Sequence, residues 1–214
     1  MAVPTLVLVF AGHCAAAIAP GIRAAPHARG KWLRGAEVQY KSALTTYRRA
    51  SEEYYLPMAS AQSGLLRGVA DAAGQTLCHP AYYDPTQTAA VAAIGLLVSG
   101  FGGAIWLQHL EKKLGSETSR GAVLRKTAAD YCCWAPCANS AYLLLVPLLT
   151  GHGLADSLVS LQGGFLSVML LEASMFMPYN LLAFNSIPAP LRPPAGSLLA
   201  ACFTIGLGIV GFSS

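Results

Sequence analysis

The sequence predicts an all-α integral membrane protein: four transmembrane helices, amphipathic interfacial helices and an extra N-terminal apolar helix. Three observations carry this reading. Charged residues are 11% of the 214, where a soluble globular chain carries roughly 25%. Hydrophobic residues reach 54% and the mean hydropathy is +0.48. Fourteen basic and ten acidic residues are too few to cover a soluble sphere of this size. The same balance excludes an extended disordered chain, which is poor in apolar residues and rich in charge. The basic residues flank apolar runs instead of forming a polar stripe, so a net charge of +4 does not point to nucleic acid.

The first 36 residues hold an apolar run, 3–19, and a basic linker with Arg23, Arg29, Lys31 and Arg34. They contain no Asp or Glu, in the manner of an organellar targeting segment. The segment is expected to persist, crossing the bilayer or lying along a partner. Residues 37–56 alternate Tyr40, Leu44 and Tyr47 with Lys41, Arg48, Arg49, Glu52 and Glu53, which predicts an interfacial amphipathic helix. Residues 37–214 form the four-helix membrane domain. Its spans are expected at about 58–78, 88–110, 128–149 and 195–212, each near the 20 residues a bilayer requires. Residues 154–184 are moderately apolar but interrupted by Asp156, Glu172 and Pro178; either Glu172 lines a cavity, or the segment is a reentrant or interfacial helix with a solvated Glu.

Charge placement orients these spans. Seven of the fourteen basic residues precede the first main span, and Lys112, Lys113, Arg120, Arg125 and Lys126 lie between the second and third. With four spans both groups share one side, the cytoplasmic or matrix face, and Arg192 falls on the other.

Two stripes run along the first span. Ser60, Gly64, Gly68 and Ala72 recur every four residues and make a flat ribbon for close helix approach. Beside them Arg67, Asp71 and Gln75 share the same spacing, and an Arg67–Asp71 pair one turn apart is expected. Either that pair is satisfied internally and fixes packing, or the stripe lines a pore. Lys126 and Asp130 invite a second such pair, and Asn139 and Glu172 are further polar residues within apolar runs.

Six cysteines lie mostly in apolar stretches and read as small buried hydrophobes. Cys132, Cys133 and Cys137 lack a nearby His, and the five histidines are dispersed, so no metal site is expected. There is no nucleophile elbow, zinc-protease motif or phosphate loop, so neither an enzyme nor a bound cofactor is expected.

Four segments resemble the family of the 22-kDa peroxisomal membrane protein and its mitochondrial inner-membrane relatives, over about residues 40–212. Gly64, Leu66, Asp71 and Gln75 follow its GxLxxxGDxxxQ pattern, with Ala70 for the second Gly. Gly95, Gly100, Trp106, Leu110 and Glu111 follow its second-span pattern. Lys126, Asp130, Ala135 and Pro136 follow KxxxDQxxxxAP, with Tyr131 for Gln. Phe184, Ile187, Pro188 and Arg192 follow NFxxVPxxxR. Phe101 and Ala104 stand where the family has Pro and His, and Ala183 stands for Asn.

The resemblance implies a four-helix protein of the mitochondrial inner or peroxisomal membrane. The reading placed first is a non-catalytic accessory subunit of a larger inner-membrane complex, such as a respiratory or ATP synthase assembly. Its alternative is a small nonselective solute channel lined by Arg67, Asp71, Gln75 and Asp130. Lipid and other membrane subunits are the expected partners.

Overall fold

The computed structural model describes residues 42, 45–47, 49–78, 83–115 and 117–210. The N-terminal apolar segment, its basic linker and most of the proposed interfacial helix lie outside the described residues. Arg48–Ser214 forms one compact unit. Among its described residues there is no strand.

Helix α1 runs Tyr55–Cys78, with Pro57 in its first turn, where a missing N–H costs least. Asp84 then caps α2, Pro85–Leu114: its carboxylate accepts from the N–H of Thr86 (2.8 Å) and Gln87 (3.2 Å), and Pro85 presets the first turn. Ser119 caps α3, Arg120–Leu149, by accepting from the Ala122 N–H. Gly151, at φ 92°, turns the chain into α4, Leu154–Ser186, and a 3₁₀ turn, Ala189–Leu191, leads to α5, Arg192–Val210.

Three of these helices are long and apolar enough to cross a membrane: α2, α3 and α4. Two of the expected spans, 88–110 and 128–149, lie inside these helices, and α4, read above as interrupted, is a further candidate by length and composition. Pro178 lies within it without ending it. The 58–78 run and residues 195–210 fall on α1 and α5, which are helical but, among the described residues, not counted with the three.

Two of the long helices widen locally. Gly95–Gly102 of α2 and Asp130–Trp134 of α3 are π-helical. Pro136 accounts for the second: it has no N–H for the carbonyl one turn back, and the helix accommodates that lost bond by widening.

The helices close into a ring. α1 packs on α2 and α5, α2 on α3, α3 on α4, and α4 returns to α5. Contact between α1 and α2 is closest where the ribbon of small residues runs. A Cβ on Gly64 would lie 2.9 Å from Leu96 Cβ, one on Gly68 3.1 Å from Ala92 Cβ, and one on Gly100 2.5 Å from Ser60 Cα. Cys132, Cys133 and Cys137 are exposed on the outer face of α3 with free thiols, not buried as expected, because the inner face of that turn is taken by Asp130 and Trp134.

Candidate functional site

The ring surrounds a partly open cavity of about 120 Å³ to which all five helices contribute. Its polar wall is made by Arg67 of α1, Asp130 and Asn139 of α3, Glu172 and Asn180 of α4, and Arg192 of α5. Trp106 and Trp134, stacked at 6.1 Å between ring centroids, form an aromatic wall beside them.

Both expected pairs along single helices are absent, and bonds between helices replace them. Asp71 accepts from Thr88 Oγ1 (2.7 Å) and Gln87 Nε2 (3.2 Å) across the α1–α2 turn, and from Gln75 Nε2 (2.6 Å). Gln75 in turn accepts the Asp84 N–H at 2.7 Å. Asp71 and Gln75 thus staple a hairpin and do not line the cavity. With Asp71 engaged there, Arg67 turns inward. Its guanidinium lies 5.7 Å above the ring of Tyr142, and its Nε is buried without a hydrogen-bond partner. Among the described residues no carboxylate comes within 4.0 Å of it.

Lys126 likewise leaves Asp130. Its ammonium, fully buried, pairs with Glu111 of α2 at 3.1 Å. Arg192 joins the same carboxylate, and its Nε donates to the Ile187 carbonyl at 2.9 Å. The Phe184 ring lies 5.9 Å from the Lys126 ammonium and 5.1 Å from the Arg192 guanidinium. Arg192 therefore sits at the end of the bundle where Lys126 lies, not opposite it, because α4 runs the full length of the bundle.

Asp130 is held by two other helices. Trp106 Nε1 donates to one oxygen at 2.8 Å and Asn180 Nδ2 to the other at 2.6 Å. Glu172 accepts from Asn139 Nδ2. Of the sequence-selected residues, the cavity thus gathers Arg67, Asp130, Asn139 and Glu172. Gly64 and Gly68 set the α1–α2 approach, Lys126 sits in the end cluster, and Pro136 shapes the π turn.

Sequence reasoning missed Tyr142, Asn180 and the serines Ser63 and Ser99, which also face the cavity. The available signal was a polar residue on the inner side of an apolar run, the one that marked Asn139. Among the described residues no group of three or more His, Cys, Asp or Glu side chains is placed to hold a metal ion. No protein-family model, curated protein or solved structure matches this chain.

Proposed function

We propose that this protein is a small-solute pathway of an organellar membrane, its cavity a way-station for polar solutes. One observation carries the reading: a ring of five helices, three long and apolar enough to span, surrounds a cavity with ionisable residues from four of them set in a largely apolar lining. Ionisable groups at membrane depth are costly and face an interior path or a partner when they occur. In this reading α1 and α5 cross as well, completing five spans. The end that carries Lys112, Lys113, Arg120, Arg125, Lys126 and Arg192 faces the matrix or cytoplasm. The resemblance to the 22-kDa peroxisomal membrane protein family supports a mitochondrial inner-membrane location. The residues behind it meet in the Asp71, Glu111 and Asp130 networks.

Reconstituting the full chain in liposomes tests this. Vesicles containing it should re-swell faster than empty ones in glycerol or urea, and Ala104→Phe, which fills a wall position 1% exposed, should abolish the difference. Permeability equal to that of empty vesicles sinks the proposal.

The accessory-subunit reading keeps one supporting observation. The outer face of α4 exposes Val159, Leu166, Leu170 and Leu182, each more than half accessible, and lipid or a neighbouring subunit covers it. Comigration with a complex far heavier than the chain on native gels of mild detergent extracts would favour that reading. A position near the chain's own mass would exclude it.

A further inference from the structure

We infer that the cavity takes a small zwitterion, with carboxylate and ammonium on one short skeleton, such as an amino acid with a small side chain. The inference rests on the cavity proposed above as part of a solute path, and names its ligand. Four charged side chains line that cavity. Arg192 shares the Glu111 carboxylate with Lys126, and Asp130 keeps its charge but has a neutral donor on each oxygen, Trp106 at 2.8 Å and Asn180 at 2.6 Å. The other two are of opposite sign and less engaged. Arg67 has a buried Nε without a partner and no carboxylate in pairing range. Glu172 receives the Asn139 amide.

Arg67 and Glu172 stand on α1 and α4, which are not neighbours in the ring, and both line the cavity. They are farther apart than the 4.0 Å of an ion pair. A cation and an anion held beyond pairing distance in a low-dielectric interior each keep part of their desolvation cost. A simple anion answers only Arg67, and a simple cation only Glu172. A zwitterion answers both, its carboxylate on the guanidinium fork and its ammonium on the Glu172 carboxylate. Size agrees: at roughly 15–30 Å³ for each water-sized atom, about 120 Å³ holds on the order of four to eight non-hydrogen atoms.

The test is equilibrium binding to the full chain in nanodiscs, read by the fluorescence of Trp106 and Trp134 on the cavity wall. Glycine, acetate and methylammonium are titrated in amine-free buffer at equal ionic strength. Glycine should bind at least tenfold more tightly than either half-ligand, and Arg67→Gln and Glu172→Gln should each weaken it at least tenfold. Acetate binding as tightly as glycine overturns the inference, and so does no saturable response to glycine. Should Arg67→Gln not fold, Arg67→Lys keeps the charge and should bind glycine between wild type and Glu172→Gln; the wild-type series alone still decides. Glycerol flux without glycine preference sinks this inference and leaves the pathway standing. Glycine binding without any flux sinks the pathway and leaves the zwitterion site.

Discussion

Asp71 receives the Thr88 hydroxyl at 2.7 Å and does not pair with Arg67, which lies one turn before it on the same helix. The two residues look like one feature in the sequence and are two in the fold. Asp71 belongs to the staple that closes the α1–α2 hairpin, and Arg67 belongs to the cavity.

Asp71→Asn should therefore act through the hairpin. It keeps one acceptor but sets an amide against Thr88 and Gln75, and should cost about 1–3 kcal/mol, measured by unfolding in mixed micelles. A double-mutant cycle separates the possibilities. Coupling of Asp71→Asn with Thr88→Val should exceed its coupling with Arg67→Gln, and the reverse order would show that the Arg67–Asp71 pair does form.

Removing the carboxylate that Lys126 and Arg192 share should be the more damaging change. Glu111→Gln leaves a fully buried ammonium and a nearly buried guanidinium without a counter-charge, at a cost on the order of 3–5 kcal/mol. Adding Lys126→Met should recover part of that loss, because one of the stranded charges is then gone. The same unfolding assay decides, and a double variant weaker than Glu111→Gln alone refutes the shared-carboxylate account.

Two glycines give a matched pair for helix approach. At Gly100 a methyl would meet Ser60 Cα at 2.5 Å and the Ala59 carbonyl at 2.9 Å, both backbone atoms that cannot swing aside. Gly100→Ala should cost about 1–3 kcal/mol through overpacking. At Gly163 in α4 nothing lies within 4 Å, and alanine there should be neutral or stabilise by up to about 1 kcal/mol through its helix propensity. Equal effects at the two sites would mean that α1 and α2 are not in close contact at Gly100.

What the sequence made legible was local. The ribbon of small residues, the Asp84-Pro85 helix start and the apolar α2 and α3 each follow from spacing within a few turns. The continuity of α4 did not, because Glu172 and Pro178 weaken its apolar run, and the donor to Glu172 is Asn139, 33 positions away. That error carried Arg192 to the wrong end of the bundle. The choice between a partner four residues along and one across the bundle is made by packing, and both pairs assigned by spacing, Arg67–Asp71 and Lys126–Asp130, went to other helices. The cavity was legible only as scattered polar residues, since no spacing rule relates Arg67 to Glu172.

Pro136 links that local chemistry to the cavity. Lacking an N–H, it leaves the carbonyl of Cys132 without its usual donor, and the π turn at Asp130–Trp134 takes up the extra residue. The turn presents Asp130 to Trp106 and Asn180, and Trp134 to Trp106. Pro136→Ala restores the missing donor and should let the turn tighten toward an α-helix, rotating the residues before it by up to about 100°, the angle of one residue. The variant should fold within about 1 kcal/mol of wild type, with tryptophan emission shifted by loss of the Trp106–Trp134 stack. Solute flux should fall several-fold as Asp130 leaves the wall. Unchanged emission together with unchanged flux would show that the Asp130 bonds, and not the proline, hold the π turn open.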